Sequence, residues 1–185
     1  AELSYWVRAL RAPGTRAVLL FDAQGLPAQL EQAAPWFDRL SPLARTALRR
    51  GKLLLRVIPF LEQEDYDRLL WACDGNFVRG EDSFVRGQWA ARPMLWQPYP
   101  QAEGAHLHKL EDFLERYCVG LEAQAAAALA AMWRAWNRGE GAALAWPAFR
   151  THWQAIEGHA ESWAGRLAAQ GDLASKLVLF CADRL

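Results

Sequence analysis

At 185 residues the chain has the size of one compact domain and can bury enough surface to fold without disulfides or a structural metal. Lys+Arg and Asp+Glu balance at 21 each, which removes the basic footprint of a nucleic-acid or anionic-membrane binder, and ten Trp, eight Phe and four Tyr exclude disorder. No apolar run approaches a membrane span, no signal-peptide pattern opens the chain, and Cys73, Cys118 and Cys181 lack metal-ligand spacing, so a reduced cytoplasmic setting is expected.

The chain begins without Met and enters a helical pattern at once, through Leu3, Trp6, Val7 and Leu10, as a piece of a longer protein would. Pro13-Gly14 breaks that helix, and Ala17–Phe21 reads as a strand closed by Asp22 and Gly25. Helical segments follow over Leu26–Leu40 and Ser41–Arg50, the second with Ser41 as N-cap and Pro42 in its first turn. Lys52–Ile58 is nearly continuous in apolar residues, the pattern of a strand buried on both faces of a parallel sheet. Then come a helix over Asp65–Cys73, with Tyr66, Leu69, Leu70 and Cys73 on one face, a short strand Asn76–Val78, a helix Glu81–Ala90 and a last strand Pro93–Trp96. Strands and helices in this alternation predict an α/β fold with βαβ units and a parallel sheet.

Beyond residue 104 the pattern turns helical throughout, over His106–Tyr117, Leu121–Asn137, Trp146–Leu167 and Asp172–Asp183. No repeat or linker separates this tail, so residues 1–185 are expected to form one domain with an α/β part (1–104) and a helical part (105–185).

In open α/β sheets ligands bind beyond the carboxyl ends of the strands. That rule selects three segments: Pro59–Tyr66, Arg79–Phe84 and Gln97–Gln101. In the second, Gly80 allows a tight turn into a helix whose first turn holds Glu81, Asp82 and Ser83. Free backbone amides there suit a phosphate or pyrophosphate, and Arg79 can add a bidentate charge. The two carboxylates would turn aside to accept hydrogen bonds from sugar hydroxyls. The plainer reading is a helix start decorated with acids for its dipole. Phe60 and Tyr66 can stack on a planar base or form an ordinary core pair, Gln63 can read a base edge, and Tyr99 stands in a loop stiffened by two prolines.

His106 and His108 lie two apart and so on different faces of a helix, which argues against a metal site; His152 and His159 are expected to face solvent. The cluster Arg45, Arg49, Arg50, Lys52 and Arg56 reads as a solvated helix face, with docking to an acidic partner as the other possibility. No P-loop, GxGxxG or Cys-His nucleophile arrangement occurs.

The segments Ile58-Pro59-Phe60, Gln63, Asp65–Asp74, Asn76–Arg86 and Gln88-Trp89-Ala90, continuing through Pro93, Trp96, Tyr99-Pro100-Gln101, His106 and Lys109-Leu110-Glu111, closely resemble one family. It is the bacterial protein-arginine rhamnosyltransferases that modify translation elongation factor P. The resemblance implies one half of a type B glycosyltransferase, the carboxyl-terminal Rossmann-like domain that binds dTDP-β-L-rhamnose. The intact enzyme would invert the anomeric centre and place rhamnose on an arginine of elongation factor P, without a metal or other cofactor, nucleic acid or membrane. Position by position, Phe60, Gln63 and Tyr66 match the thymine pocket, and Arg79, Asp82, Ser83 and Tyr99 match positions around the diphosphate and sugar. Glu81 matches a carboxylate tied to ribose binding and to catalysis. Tyr66 stands where the family has phenylalanine, and Gln97-Pro98 replaces a His-Ile pair. The family's acceptor domain, with its aspartate general base, has no counterpart in the aligned stretch, so the chain alone is expected to bind donor without transferring it. The other reading implied is a folded fragment or interaction module that docks elongation factor P without nucleotide.

Overall fold

The computed structural model describes the backbone of residues 17–22, 47–50, 53–58 and 61–182, with side chains from Leu61 onward. The chain divides into two compact units, Ala1–Leu69 with Ala127–His152, and Leu70–Ala126 with Trp153–Leu185.

The first unit contains a three-stranded sheet in the order β1-β3-β2. Strand β1 (Ala17–Asp22) runs parallel to β3 (Leu53–Ile58) in unbroken register from Ala17↔Leu53 to Asp22↔Ile58. The apolar run of β3 takes the central place, but the parallel sheet expected around it is parallel only on the β1 side. Strand β2 (Ala47–Arg50) lies antiparallel on its other side, with Leu48 opposite Leu55. This corrects the helix expected over Ser41–Arg50, whose remaining residues lie outside the described ones. Ala, Leu and Arg favour helix intrinsically, yet the open edge of β3 offers four residues a ladder of backbone partners, and that tertiary pairing prevails. Arg49, Arg50 and Arg56 therefore belong to paired strands, not to a helix face; Arg45 and Lys52 lie outside the described residues.

Helix α1 (Gln63–Ala72) follows β3, with Leu70 buried and Tyr66, Leu69 and Cys73 half-buried along the predicted face. In the second unit, β4 (Asn76–Arg79) and β5 (Met94–Gln97) pair in parallel from Asn76↔Met94 to Arg79↔Gln97, joined through α2 (Asp82–Trp89). Val78 and Asn76 are buried while Phe77 and Arg79 are exposed, the alternation of a strand covered on one face. Gly87 lets α2 approach closely: a Cβ there would stand 3.3 Å from both Met94 Sδ and Val78 Cγ1. Buried Asn76 is satisfied, its side-chain amide donating to the Leu70 carbonyl (3.1 Å) and its N–H to the Pro93 carbonyl (2.8 Å).

The helical tail consists of α3 (Ala105–Tyr117), α4 (Ala123–Arg138), α5 (Ala142–Thr151), α6 (Trp153–Ala169) and α7 (Leu173–Ala182). The single helix expected over Trp146–Leu167 is two, ending first at His152. There the Thr151 hydroxyl donates back to the Pro147 carbonyl (3.0 Å), a kind of bond that competes with the helical ladder. In the second unit rings from four elements interlock: Phe84 stacks on Trp96 at 4.0 Å, and Phe113 stands edge-on to Phe84 at 4.7 Å and to Trp163 at 5.8 Å. Tyr117 meets Trp163 and His159, each at 5.1 Å. No helix among the described residues is long and apolar enough to cross a membrane.

His159, expected at the surface, is instead buried, and its Nε2–H donates to the Tyr117 carbonyl at the end of α3. A carbonyl can only accept, so the neutral ring carries its proton on Nε2. Burial pushes the His159 pKa down, outweighing the Tyr117 carbonyl that favours the charged form. The unfolded chain takes up this proton near pH 6.5 and the folded chain only below it, so stability present above that pH is lost as pH falls. Thermal unfolding between about pH 7.5 and about pH 5.5 checks this: the midpoint should fall more steeply for the parent than for His159→Gln, which keeps a donor but does not titrate.

Candidate functional site

Parallel pairing brings the carboxyl ends of β4 and β5 to one edge, and the chain leaves both strands there. After Arg79, Gly80 turns with φ +74°, a conformation that costs a residue with a Cβ about 1–2 kcal/mol. Its N–H donates to the Gln97 carbonyl (3.1 Å), extending the strand pairing by one residue. Its carbonyl accepts from the buried Trp96 indole N–H (2.7 Å). Glu81 is the N-cap of α2 and makes no capping hydrogen bond through its side chain; Asp82 and Ser83 form the first turn. The positive end of the helix dipole is therefore uncapped by the residue placed to cap it.

Tyr99 lies against this turn. A Cβ on Gly80 would stand 2.6 Å from Tyr99 Cε2 and 3.0 Å from its hydroxyl oxygen, so only glycine leaves room for the ring. The Arg79 guanidinium sits 5.2 Å from the Tyr99 ring centroid, within cation–π range, and both side chains are exposed. The loop carrying Tyr99 is tied at its far end by the Gln101 N–H, which donates to His106 Nδ1 (3.1 Å). Asp82 pairs with Arg86 one turn along α2 (2.8 Å), which draws its carboxylate along the helix flank, while Glu81 remains exposed at the turn. The structure thus gathers Arg79, Glu81, Asp82, Ser83 and Tyr99 at one strand edge.

The other predicted residues belong to the first unit. Gln63 opens α1 and is exposed; Tyr66, one turn on, is half-buried, and its N–H donates to the Glu62 carbonyl (2.9 Å). Asp65 is held by Arg68 at 2.7 Å. Phe60 lies outside the described residues. Among the described residues no cluster of His, Cys, Asp and Glu is arranged to hold a metal ion.

The family described as Elongation-Factor P (EF-P) rhamnosyltransferase EarP matches residues 1–182. The chain belongs to this family. It is 47% identical over its whole length to a protein-arginine rhamnosyltransferase of Pseudomonas putida, covering 48% of that protein. To the Pseudomonas aeruginosa protein of the same description it is 45% identical over 181 residues, or 97% of this chain and 47% of that one. A solved structure described as the structural basis for EarP-mediated arginine glycosylation of translation elongation factor EF-P aligns with a TM-score of 0.84 at 44% identity. That alignment covers 100% of this chain and 57% of the solved one. The chain spans about half the length of the curated relatives it matches.

The turn is legible in the sequence, but two of its supports are not: the partners that Trp96 and His106 hold, the Gly80 carbonyl and the Gln101 amide, are backbone groups invisible to side-chain pattern. The Asp82–Arg86 pair was legible, as opposite charges four apart on a helix. Gly80→Ala should lower the thermal unfolding midpoint by roughly 2–8 °C through left-handed backbone strain alone, with displacement of Tyr99 besides. An unchanged midpoint would mean that the turn relaxes freely.

Proposed function

We propose that this chain is the donor-binding, Rossmann-like domain of a type B arginine rhamnosyltransferase. It takes dTDP-β-L-rhamnose, and the intact enzyme delivers rhamnose with inversion to an arginine of elongation factor P. The observation that supports this most is the uncapped start of α2 at the joint carboxyl edge of β4 and β5, flanked by Arg79 and Tyr99 in a member of this family. Amides directed along a helix axis stabilise negative oxygen, which a diphosphate supplies.

In this reading the amides at Asp82 and Ser83 and the Ser83 hydroxyl donate to diphosphate oxygens. Arg79 adds positive charge, held in place by the Tyr99 ring, whose hydroxyl donates to the same group. As the bond from the sugar to the β-phosphate breaks and dTDP departs, these donors stabilise the charge that develops on its diphosphate. Glu81 accepts hydrogen bonds from sugar hydroxyls, consistent with its exposed, uncapped carboxylate. Phe60, Gln63 and Tyr66 take the thymine, the role that the resemblance of their segment implies. The charge of the diphosphate is met by these groups without a metal ion. Transfer needs more than donor binding: a guanidinium, with a pKa above about 12, must be positioned and relieved of a proton, a task we assign to the family's acceptor domain. Docking to elongation factor P without nucleotide is not favoured, because nothing in that reading uses the α2 turn.

Calorimetric titration of dTDP into the chain tests the proposal. Binding should persist in EDTA, and Glu81→Ala should weaken dTDP-rhamnose roughly 10- to 100-fold, the value of a hydrogen bond to a charged group, with the unfolding midpoint nearly unchanged. No heat from the parent chain would overturn donor binding; unchanged affinity in the variant would remove Glu81 from the site. The chain alone should leave elongation factor P unmodified, whereas the intact enzyme rhamnosylates it.

A further inference from the structure

The edge where β4 and β5 end is held from below by one side chain. Trp96 is 5% exposed, and the one polar atom it owns, the indole N–H, is spent on the Gly80 carbonyl at 2.7 Å. Its ring lies flat against Phe84, the third residue of α2, with centroids 4.0 Å apart and planes 18° apart. It therefore grips the turn on both sides, by the peptide that enters α2 and by the first helical turn itself.

The hydrogen bond has a directional consequence. No peptide in the described residues is cis, and in a trans peptide the carbonyl and the following N–H point in opposite directions. With the Gly80 oxygen drawn inward to the buried indole, the Glu81 N–H points the opposite way, away from that indole. Gly80 in its left-handed conformation has no Cβ to resist rotation of that peptide, so backbone sterics alone would leave the orientation loose.

We infer that Trp96 is a positioning residue for the sugar-nucleotide site. Its indole N–H fixes the Gly80–Glu81 peptide so that the Glu81 amide joins the donors that face the diphosphate. This rests on the donor-binding reading above and adds a residue to it. Trp96 touches no ligand; it acts through the backbone. A lost bond would let the peptide rotate and turn a carbonyl, in place of an amide, toward anionic oxygen.

The test replaces Trp96 with 3-benzothienylalanine, which keeps the ring's shape and its stack on Phe84 but has sulfur where the N–H was; Trp96→Phe is the second variant. Trp163→Phe is the matched control, because it deletes another indole N–H bond onto α2, that to Gln88 Oε1 at 3.0 Å, away from the turn. dTDP is titrated into each, with the unfolding midpoint measured alongside. Both Trp96 variants should bind dTDP about tenfold more weakly, the effect of one hydrogen bond lost with its acceptor left buried. The control should lose comparable stability and keep its affinity within about twofold. Parent-like affinity in the benzothienylalanine protein, or equal weakening in the control, overturns the inference while leaving donor binding intact. A parent chain that does not bind dTDP overturns both.

Discussion

A single backbone carbonyl organises the candidate site. Gly80 must leave β4, reverse direction and start α2 within one residue, and it does so in a conformation that glycine alone adopts without strain. Freedom of that kind needs an anchor. Its N–H continues the ladder to Gln97, its oxygen is taken by Trp96, and the missing Cβ is replaced by the ring of Tyr99. Each contact excludes some rotation of the turn from which α2 starts.

That anchor belongs to a larger aromatic core. Trp96 rests on Phe84, Phe113 stands edge-on to both, and Tyr117 and Trp163 continue the cluster to His159. Close-packed rings have few alternative arrangements, so the floor of the turn is stiff. The polar ends of these side chains are used as fasteners: Trp96 holds the turn, Trp163 holds Gln88 on α2, and His159 closes the carboxyl end of α3. Stability and site geometry in this unit therefore draw on the same residues.

Rigidity at the turn suits the donor binding proposed for it. A leaving nucleoside diphosphate needs donors already aimed at it, since donors that reorganise during departure forfeit much of their stabilisation. The surface side chains are arranged differently. Arg79 over Tyr99 and Asp82 against Arg86 are exposed contacts, individually weak and adjustable. The Gly80–Glu81 peptide is thus fixed from within, while Arg79 and Tyr99 meet at the surface.

By itself the sequence determined the β4–α2–β5 unit, the helical tail and the gathering of Arg79, Glu81, Asp82, Ser83 and Tyr99. Local signals set these: short apolar runs alternating with helical pattern, glycine before an acidic helix start, and the rule that parallel strands share a carboxyl edge. The structure alone decided that Ala47–Arg50 pairs with β3 as a strand, that the helix expected across His152 breaks there, and that His159 turns inward. It alone showed which atom holds the Gly80 carbonyl. In each of those cases the deciding partner is distant in the chain or is a backbone group, and residue pattern registers neither, because it records side-chain chemistry and spacing, not which main-chain donors and acceptors remain to be satisfied once the fold has closed.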